Sequence, residues 1–244
     1  MNCWTCAKKN IKLILSSVYK CDTCGHVYID FKGDSIKFHA EQFRNVKKSR
    51  RDINEFDKDG NVTELFHEKR AELVAQRMGY IREILDKSYR CLDIGAGAGT
   101  FAKQLNKEVE LVECTELTPS LVKECRLFGF KTYEEDFIKM DESKTYDIVF
   151  AWHVLEHVGD IVSFKEKLRK MARKYIVLEV PLLKAINGEG RTRTLKSPDV
   201  HEYDGHAHYF TKRSFTKFFE DDFNIVEIKE GVQSPALFSI LEKK

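Results

Sequence analysis

The stretch Cys91-Leu-Asp-Ile-Gly-Ala-Gly-Ala-Gly-Thr-Phe101 decides how the rest of the chain is read. A short apolar run ends in Asp93, and three glycines follow at alternate positions, Gly95, Gly97 and Gly99. Such glycines let a backbone turn sharply from strand into helix and approach a ligand more closely than any side chain would permit. The acid comes before the glycines. A carboxylate at the mouth of the loop repels a pyrophosphate but attracts an ammonium and a sulfonium, so the order favours S-adenosylmethionine over a dinucleotide.

Working outward, apolar segments at 89–93, 109–116, 130–134, 146–152 and 174–180 read as strands, and helices begin near Phe101, Pro119 and Ile161. This alternation predicts an α/β fold, a doubly wound, Rossmann-like, mostly parallel sheet covered on both faces. Ahead of it, Leu73, Val74, Met78, Ile81, Ile84 and Leu85 recur at helical spacing within 65–85. After a helix at 211–220, the segments 223–230 and 236–241 flank a tight link containing Gly231. They complete seven strands as an antiparallel hairpin at one edge.

Two more acids stand at predicted strand ends. Glu116, within Glu-Leu-Thr-Pro-Ser, is placed to accept from both hydroxyls of a ribose. Asp136 is placed to accept from an exocyclic amine while Phe137 covers the adenine face. A glycine-rich strand-to-helix turn alone also suits nicotinamide enzymes; it is the ordered set that points to the methyl donor.

Asp93-Ile-Gly-Ala-Gly-Ala-Gly-Thr-Phe101, Glu116-Leu-Thr-Pro119, Asp136-Phe137 and Tyr146-Asp-Ile-Val-Phe-Ala-Trp-His-Val-Leu-Glu-His-Val158 resemble successive motifs of class I S-adenosylmethionine-dependent methyltransferases. The resemblance covers roughly residues 65 to 244. Val154-Leu-Glu-His-Val158, Leu178-Glu-Val-Pro181 and His208-Tyr-Phe-Thr211 are similar in particular to the branch holding ubiquinone-biosynthesis O-methyltransferases and sugar methyltransferases. It implies that Asp93, Gly95, Gly97, Glu116, Leu117, Asp136, Phe137 and Trp152 line the cofactor pocket.

Methyl transfer from a sulfonium is an in-line displacement, to which an enzyme contributes alignment and, for a neutral nucleophile, a base. His153, Glu156 and His157 follow the fourth strand at the i, i+3, i+4 spacing of one helical face. His157 reads either as a structural residue near the sheet end or, like His153, as the base. The trio also reads as ligands of a divalent ion: the related ubiquinone enzymes carry Glu-x-x-Glu-His here, and His153 in place of the first acid softens the site towards zinc-like ions. The long segment 182–210 sits where a lid over the acceptor would sit. It carries Gly188, Gly190, Arg191, Arg193, Lys196, His201, Tyr203, His206, His208 and Tyr209. Its basic residues suit a phosphate or carboxylate, and His206 and His208 are further candidate bases; otherwise the loop is solvated and His208 anchors the next helix.

The amino terminus is a separate unit. Cys3-x2-Cys6 and Cys21-x2-Cys24 offer two pairs of thiolates separated by fourteen residues, a zinc-ribbon signature. Four thiolates fill a tetrahedral sphere, so the role is structural; a redox Cys-x-x-Cys lacks its usual strand and helix here. Cys91, Cys114 and Cys125 read as small core residues. Domains follow as 1–30 zinc ribbon, 31–60 polar connecting arm with Lys47, Lys48, Arg50 and Arg51, and 61–244 methyltransferase domain. Four-cysteine modules on such a core resemble deoxysugar C-methyltransferases, which carry a further carboxyl-terminal domain, and some ribosomal RNA guanine methyltransferases.

At 244 residues and 42% hydrophobic, with 11% aromatics, the chain can bury a sizeable core. Neither a signal segment nor a membrane span is evident, so a cytoplasmic location is expected. The formal charge of +2, from 41 basic and 39 acidic residues, does not call for a nucleic-acid surface. The reading is therefore methyl transfer to a small polar, sugar-like or phosphorylated acceptor. RNA methylation and cofactor binding without catalysis are the alternatives.

Overall fold

The computed structural model describes residues 2–15, 18–29, 55–183, 206–231 and 235–244. Its main body is a seven-stranded sheet. The strands are β4 (Arg90–Ile94), β5 (Leu111–Thr115), β6 (Lys131–Tyr133), β7 (Tyr146–Trp152), β8 (Ala172–Pro181), β10 (Phe223–Glu230) and β11 (Ala236–Lys243), in the order β10-β11-β8-β7-β4-β5-β6. The first five pair parallel and β11 runs antiparallel to both β8 and β10, as the sequence pattern predicts.

The strand β7 is buried along its whole length. That is the consequence of a near-continuous apolar run at the centre of a sheet with cover on both faces. On one face α1 (Glu64–Ile81) and α2 (Thr100–Leu105) pack Val74, Met78, Ile81, Phe101 and Leu105 against Ile148, Phe150 and Val177. On the other, α4 (Ile161–Met171) and α5 (Lys212–Phe219) pack Phe164, Leu168, Phe215 and Phe219 against Val149, Leu178 and Leu237. The helix α3 (Pro119–Leu127) starts with proline, whose missing N–H and fixed φ suit a first turn. The helix α5 is held at its start by a reciprocal cap between Thr211 and Ser214.

The cysteine module forms a second sheet, and here the structure adds something the pattern does not predict. Its strands β1 (Ile11–Leu15), β2 (Val18–Cys21) and β3 (Val27–Ile29) form an antiparallel meander, and a fourth strand, β9 (His208–Tyr209), comes from the far end of the chain. The ribbon is thus stitched into the larger domain by backbone hydrogen bonds. No helix among the described residues is long and apolar enough to cross a membrane. The connecting arm with Lys47, Lys48, Arg50 and Arg51, and the lid residues 184–205 with Arg191, Arg193, Lys196, His201 and Tyr203, lie outside the described residues.

Candidate functional site

At the carboxyl end of β4 the chain turns through Gly95 and Gly97, at φ +64° and +58°. The two glycines serve different purposes. A Cβ on Gly95 would stand 2.7 Å from Val154 Cγ2, whereas one on Gly97 would project into open space. Gly95 therefore makes room for protein, and Gly97 keeps a concave surface clear for a ligand.

The loop is held open by acceptors on the next strand. Thr115 Oγ1 accepts from Gly95 N (3.2 Å), and Glu116 Oε2 accepts from Gly97 N (2.9 Å). Glu116 Oε1 takes the N–H groups of Leu117 (2.8 Å) and Thr118 (2.9 Å). Beneath the loop Asp93 is 1% exposed, and neither of its carboxylate oxygens meets a hydrogen-bond partner among the described residues. Burial pushes its pKa up to about 8, against the attraction of Arg77 and with help from Glu116. Burial raises Glu116 as well.

A buried carboxylate without partners is costly unless a cation completes it. The ammonium and sulfonium of S-adenosylmethionine are such cations, and the clear surface at Gly97 follows Asp93 in the same loop. The residues present therefore fit the cofactor. Leu117 is 45% exposed next to Glu116. Asp136 caps a 3-10 turn, accepting from Ile138 N at 3.1 Å. Phe137 and Trp152 are both buried in aromatic packing. Phe137 is buried against Phe164 at 5.0 Å, and Trp152 is enclosed by Phe101, Phe150 and Phe238 with the Arg77 guanidinium 4.5 Å over its ring.

Past β7 the backbone enters the left-handed region at His153, φ +56°. For a side chain of this size that conformation is held by its surroundings. His153 Nδ1 lies 3.1 Å from Glu156 Oε1 and Nε2 lies 3.0 Å from Glu179 Oε1, while its backbone N–H donates to Glu179 O at 2.8 Å. Burial alone would lower its pKa, but the two carboxylates outweigh that and hold His153 at about 9. At neutral pH the ring is a cation donating at both nitrogens, with no nitrogen left to take a proton. Glu179 also accepts from Arg77 Nη2 at 2.7 Å. Arg77 and Glu179 are site residues that sequence reasoning missed; the signals were an arginine inside the amphipathic helix and the acid within Leu178-Glu-Val-Pro181.

Beside this network Glu156, His157 and His206 bring one ligand atom each within 4.8 Å of one another. The rings of His157 and His206 meet edge to face at 4.7 Å, and Glu156 is fully buried with Oε2 unpartnered among the described residues. The trio expected from spacing was His153, Glu156 and His157; the structure brings together Glu156, His157 and His206. His208 points elsewhere: it is 2% exposed, with Nδ1 3.2 Å from His26 Nε2 in the ribbon, and burial lowers its pKa to about 4.

The four ribbon sulfurs also converge within 4.8 Å, with Cys3–Cys24 at 3.7 Å and Cys6–Cys21 at 3.6 Å. A tetrahedral ion with Zn–S bonds of about 2.3 Å spaces its sulfurs about 3.8 Å apart, so the tetrad fits zinc.

The profile of the family described as "Methyltransferase domain" matches residues 66–228. Among solved structures, magnesium protoporphyrin IX methyltransferase from Synechocystis PCC 6803 with bound SAH superposes with a TM-score of 0.60 at 16% identity, covering 86% of this chain and all of that one. The same enzyme with bound SAM gives 0.59. N-methyltransferase NodS from Bradyrhizobium japonicum WM9, in complex with S-adenosyl-l-homocysteine, gives 0.53 at 13% identity, over 86% of this chain and 99% of that one. No curated protein sequence matches the chain.

Proposed function

The chain belongs to the methyltransferase-domain family and is an S-adenosylmethionine-dependent methyltransferase, and from that premise we propose that it methylates a small polar acceptor, with a histidine of the Glu156–His157–His206 cluster taking the acceptor's proton. Asp93 would hold the cofactor's ammonium end, Gly95 and Gly97 its backbone cradle, Glu116 the ribose, and Leu117 with the Asp136–Phe137 turn the adenine. The observation that carries this is the buried Asp93 carboxylate with both oxygens unpartnered beneath an open Gly97.

Bound S-adenosylmethionine supplies an electrophilic methyl group and a neutral thioether leaving group. With that group bound, His157 or His206 would take the proton of the acceptor as its lone pair is committed to the methyl carbon. His153 serves as a fixed cation that braces Glu156 and Glu179, so the base role passes to its neighbours. The fully buried, unpartnered Glu156 Oε2 favours a second reading for the same cluster, a divalent ion held by Glu156, His157 and His206 that orients the acceptor. Zinc on Cys3, Cys6, Cys21 and Cys24 would be structural, since a closed four-sulfur site has no open position.

Calorimetric titration with S-adenosylmethionine tests the cofactor reading. Wild type is expected to bind, and Asp93→Asn to weaken binding by about 10- to 100-fold, the range for a lost charge-assisted hydrogen bond. Absence of binding by wild type would overturn it. For the cluster, His157→Gln and His206→Gln should keep cofactor affinity and lose turnover, assayed by release of S-adenosylhomocysteine over an acceptor panel. Wild-type turnover in both would remove them as bases.

A further inference from the structure

We propose that the cysteine module is a positioning element of the acceptor site: through Ala207 and His208 it fixes His206 against Glu156 and His157, so that metal on the tetrad sets the geometry of that cluster. This rests on reading the cluster as the acceptor end of the site.

The connection is a short chain of named bonds. Ala207 N donates to Glu156 O at 2.7 Å, and Ala207 O accepts from Ile29 N, in the ribbon, at 2.9 Å. A single peptide residue, next in sequence to His206, therefore bridges the acidic turn and the module. Immediately beyond it, β9 pairs with β3 in the register Tyr28↔His208 and Val27↔Tyr209. The buried His26 ring then stacks on His208 at 5.3 Å.

The metal ligands themselves take part. Cys24 O accepts from Thr211 Oγ1 at 3.0 Å, the same hydroxyl that caps α5. Gly25, at φ +79°, lets that knuckle come so close that a Cβ would lie 3.2 Å from Thr211 Cγ2. Cys21 N donates to His26 O at 2.8 Å, and Gly25 N to Cys21 O at 2.8 Å, so the knuckle that carries two thiolates also aims His26.

The four strands of this sheet have five, four, three and two residues, too few to build a sizeable core. A unit this small needs its ion to stay folded. Withdrawing the ion should release Ile29, His26 and Cys24 together, and with them the segment 206–211. The glycine loop and Asp93 make none of these contacts.

Selective ¹⁵N labelling of the eight histidines, with long-range imidazole correlation spectra assigned by single substitutions, tests this together with cofactor titration on the same samples. On withdrawal of zinc by a chelator, and in Cys21→Ser, the His157 and His206 signals should shift or broaden. The signals of His67, which lies on α1 against Thr100 Oγ1, should stay, and cofactor affinity should hold within twofold. His208→Ala, with zinc retained, should move the same two signals, and His208→Asn should restore them in part. Leu13→Ser, at an exposed ribbon position, should move nothing.

The proposal fails if His157 and His206 keep their signals in the zinc-free protein and in His208→Ala, or if the tetrad takes up no zinc. It fails too if zinc removal costs more than tenfold in cofactor affinity, because the ribbon then supports the whole domain. Loss of cofactor binding in zinc-loaded wild type would instead overturn the proposed function, so the two failures are distinguishable.

Discussion

The two halves of the proposed site are built in opposite ways. The cofactor half comes from residues close in sequence: Asp93, Gly95 and Gly97 lie within five residues, and Glu116 reaches the loop from the adjacent strand. The proposed acceptor half is assembled across the chain, with Glu156 and His157 meeting His206, whose neighbour Ala207 is bonded to Ile29 of the amino-terminal ribbon. A local site depends on backbone geometry at one strand end, whereas a distributed site depends on the fold staying closed. The two should therefore fail separately when perturbed.

The largest effect is expected on the acceptor side, at His153. Replacing it with Gln leaves Glu156 buried without its hydrogen-bonded cation and Glu179 with Arg77 alone, and breaking such a buried arrangement costs about 3–5 kcal/mol. Its pH dependence has a definite sign. The folded state holds this proton more tightly than the unfolded state, whose His titrates near 6.5. The stabilisation is complete below about pH 6.5 and is lost as pH rises through about 9. A Tm series from pH 7 to 10 should fall in wild type and be flatter in His153→Gln. Should cofactor affinity collapse along with stability, the halves are not separable and the comparison breaks.

Next is Asp93, on the cofactor side, whose pH behaviour runs the other way. Its folded pKa of about 8 lies above the ordinary carboxylate range because burial outweighs Arg77. The cofactor-free folded state thus binds more protons than the unfolded chain between about pH 4 and 8, and it loses stability as pH rises through that window. Cofactor binding favours the carboxylate, so affinity should climb from pH 6 to 8 by up to about tenfold per unit. Asp93→Asn should abolish that slope; an unchanged slope would assign it to another group, with Glu116 the first candidate.

The same contrast explains what the sequence made legible. The seven strands and the glycine turn are local patterns of apolar period and conformational need, and a single strand such as β7 announces itself by the near-continuous apolar run from Tyr146 to Trp152. The tetrad was legible for the same reason, since two Cys-x-x-Cys turns are local. His206 meeting Glu156, and His208 facing His26 across 182 positions, are set by tertiary register, which no spacing within a segment encodes. The role of His153 was hidden likewise: its second carboxylate, Glu179, is supplied by a neighbouring strand.

Gly95 is where the halves touch, because the space beneath it is filled by Val154, next to His153. Gly95→Ala should destabilise by about 1–3 kcal/mol, from the left-handed backbone and from the 2.7 Å clash. Val154→Ala in the same chain should recover the part owed to the clash and leave the part owed to φ. A double-mutant cycle in thermal unfolding would separate them, and strict additivity would show that the clash is absent.

The smallest effect should come from Leu117, which is 45% exposed beside Glu116 and carries no polar partner from its side chain. If it covers the adenine, Leu117→Ala removes only part of one apolar contact. At about 25 cal/mol per Å2, a few tens of Å2 amount to under about 1 kcal/mol, or roughly threefold in affinity. Stability of the cofactor-free protein should be unchanged, since the side chain supports nothing there. A titration showing an equal loss for S-adenosylhomocysteine would place Leu117 on the adenosyl portion that both ligands share, and unaltered affinity for both would remove it from the pocket.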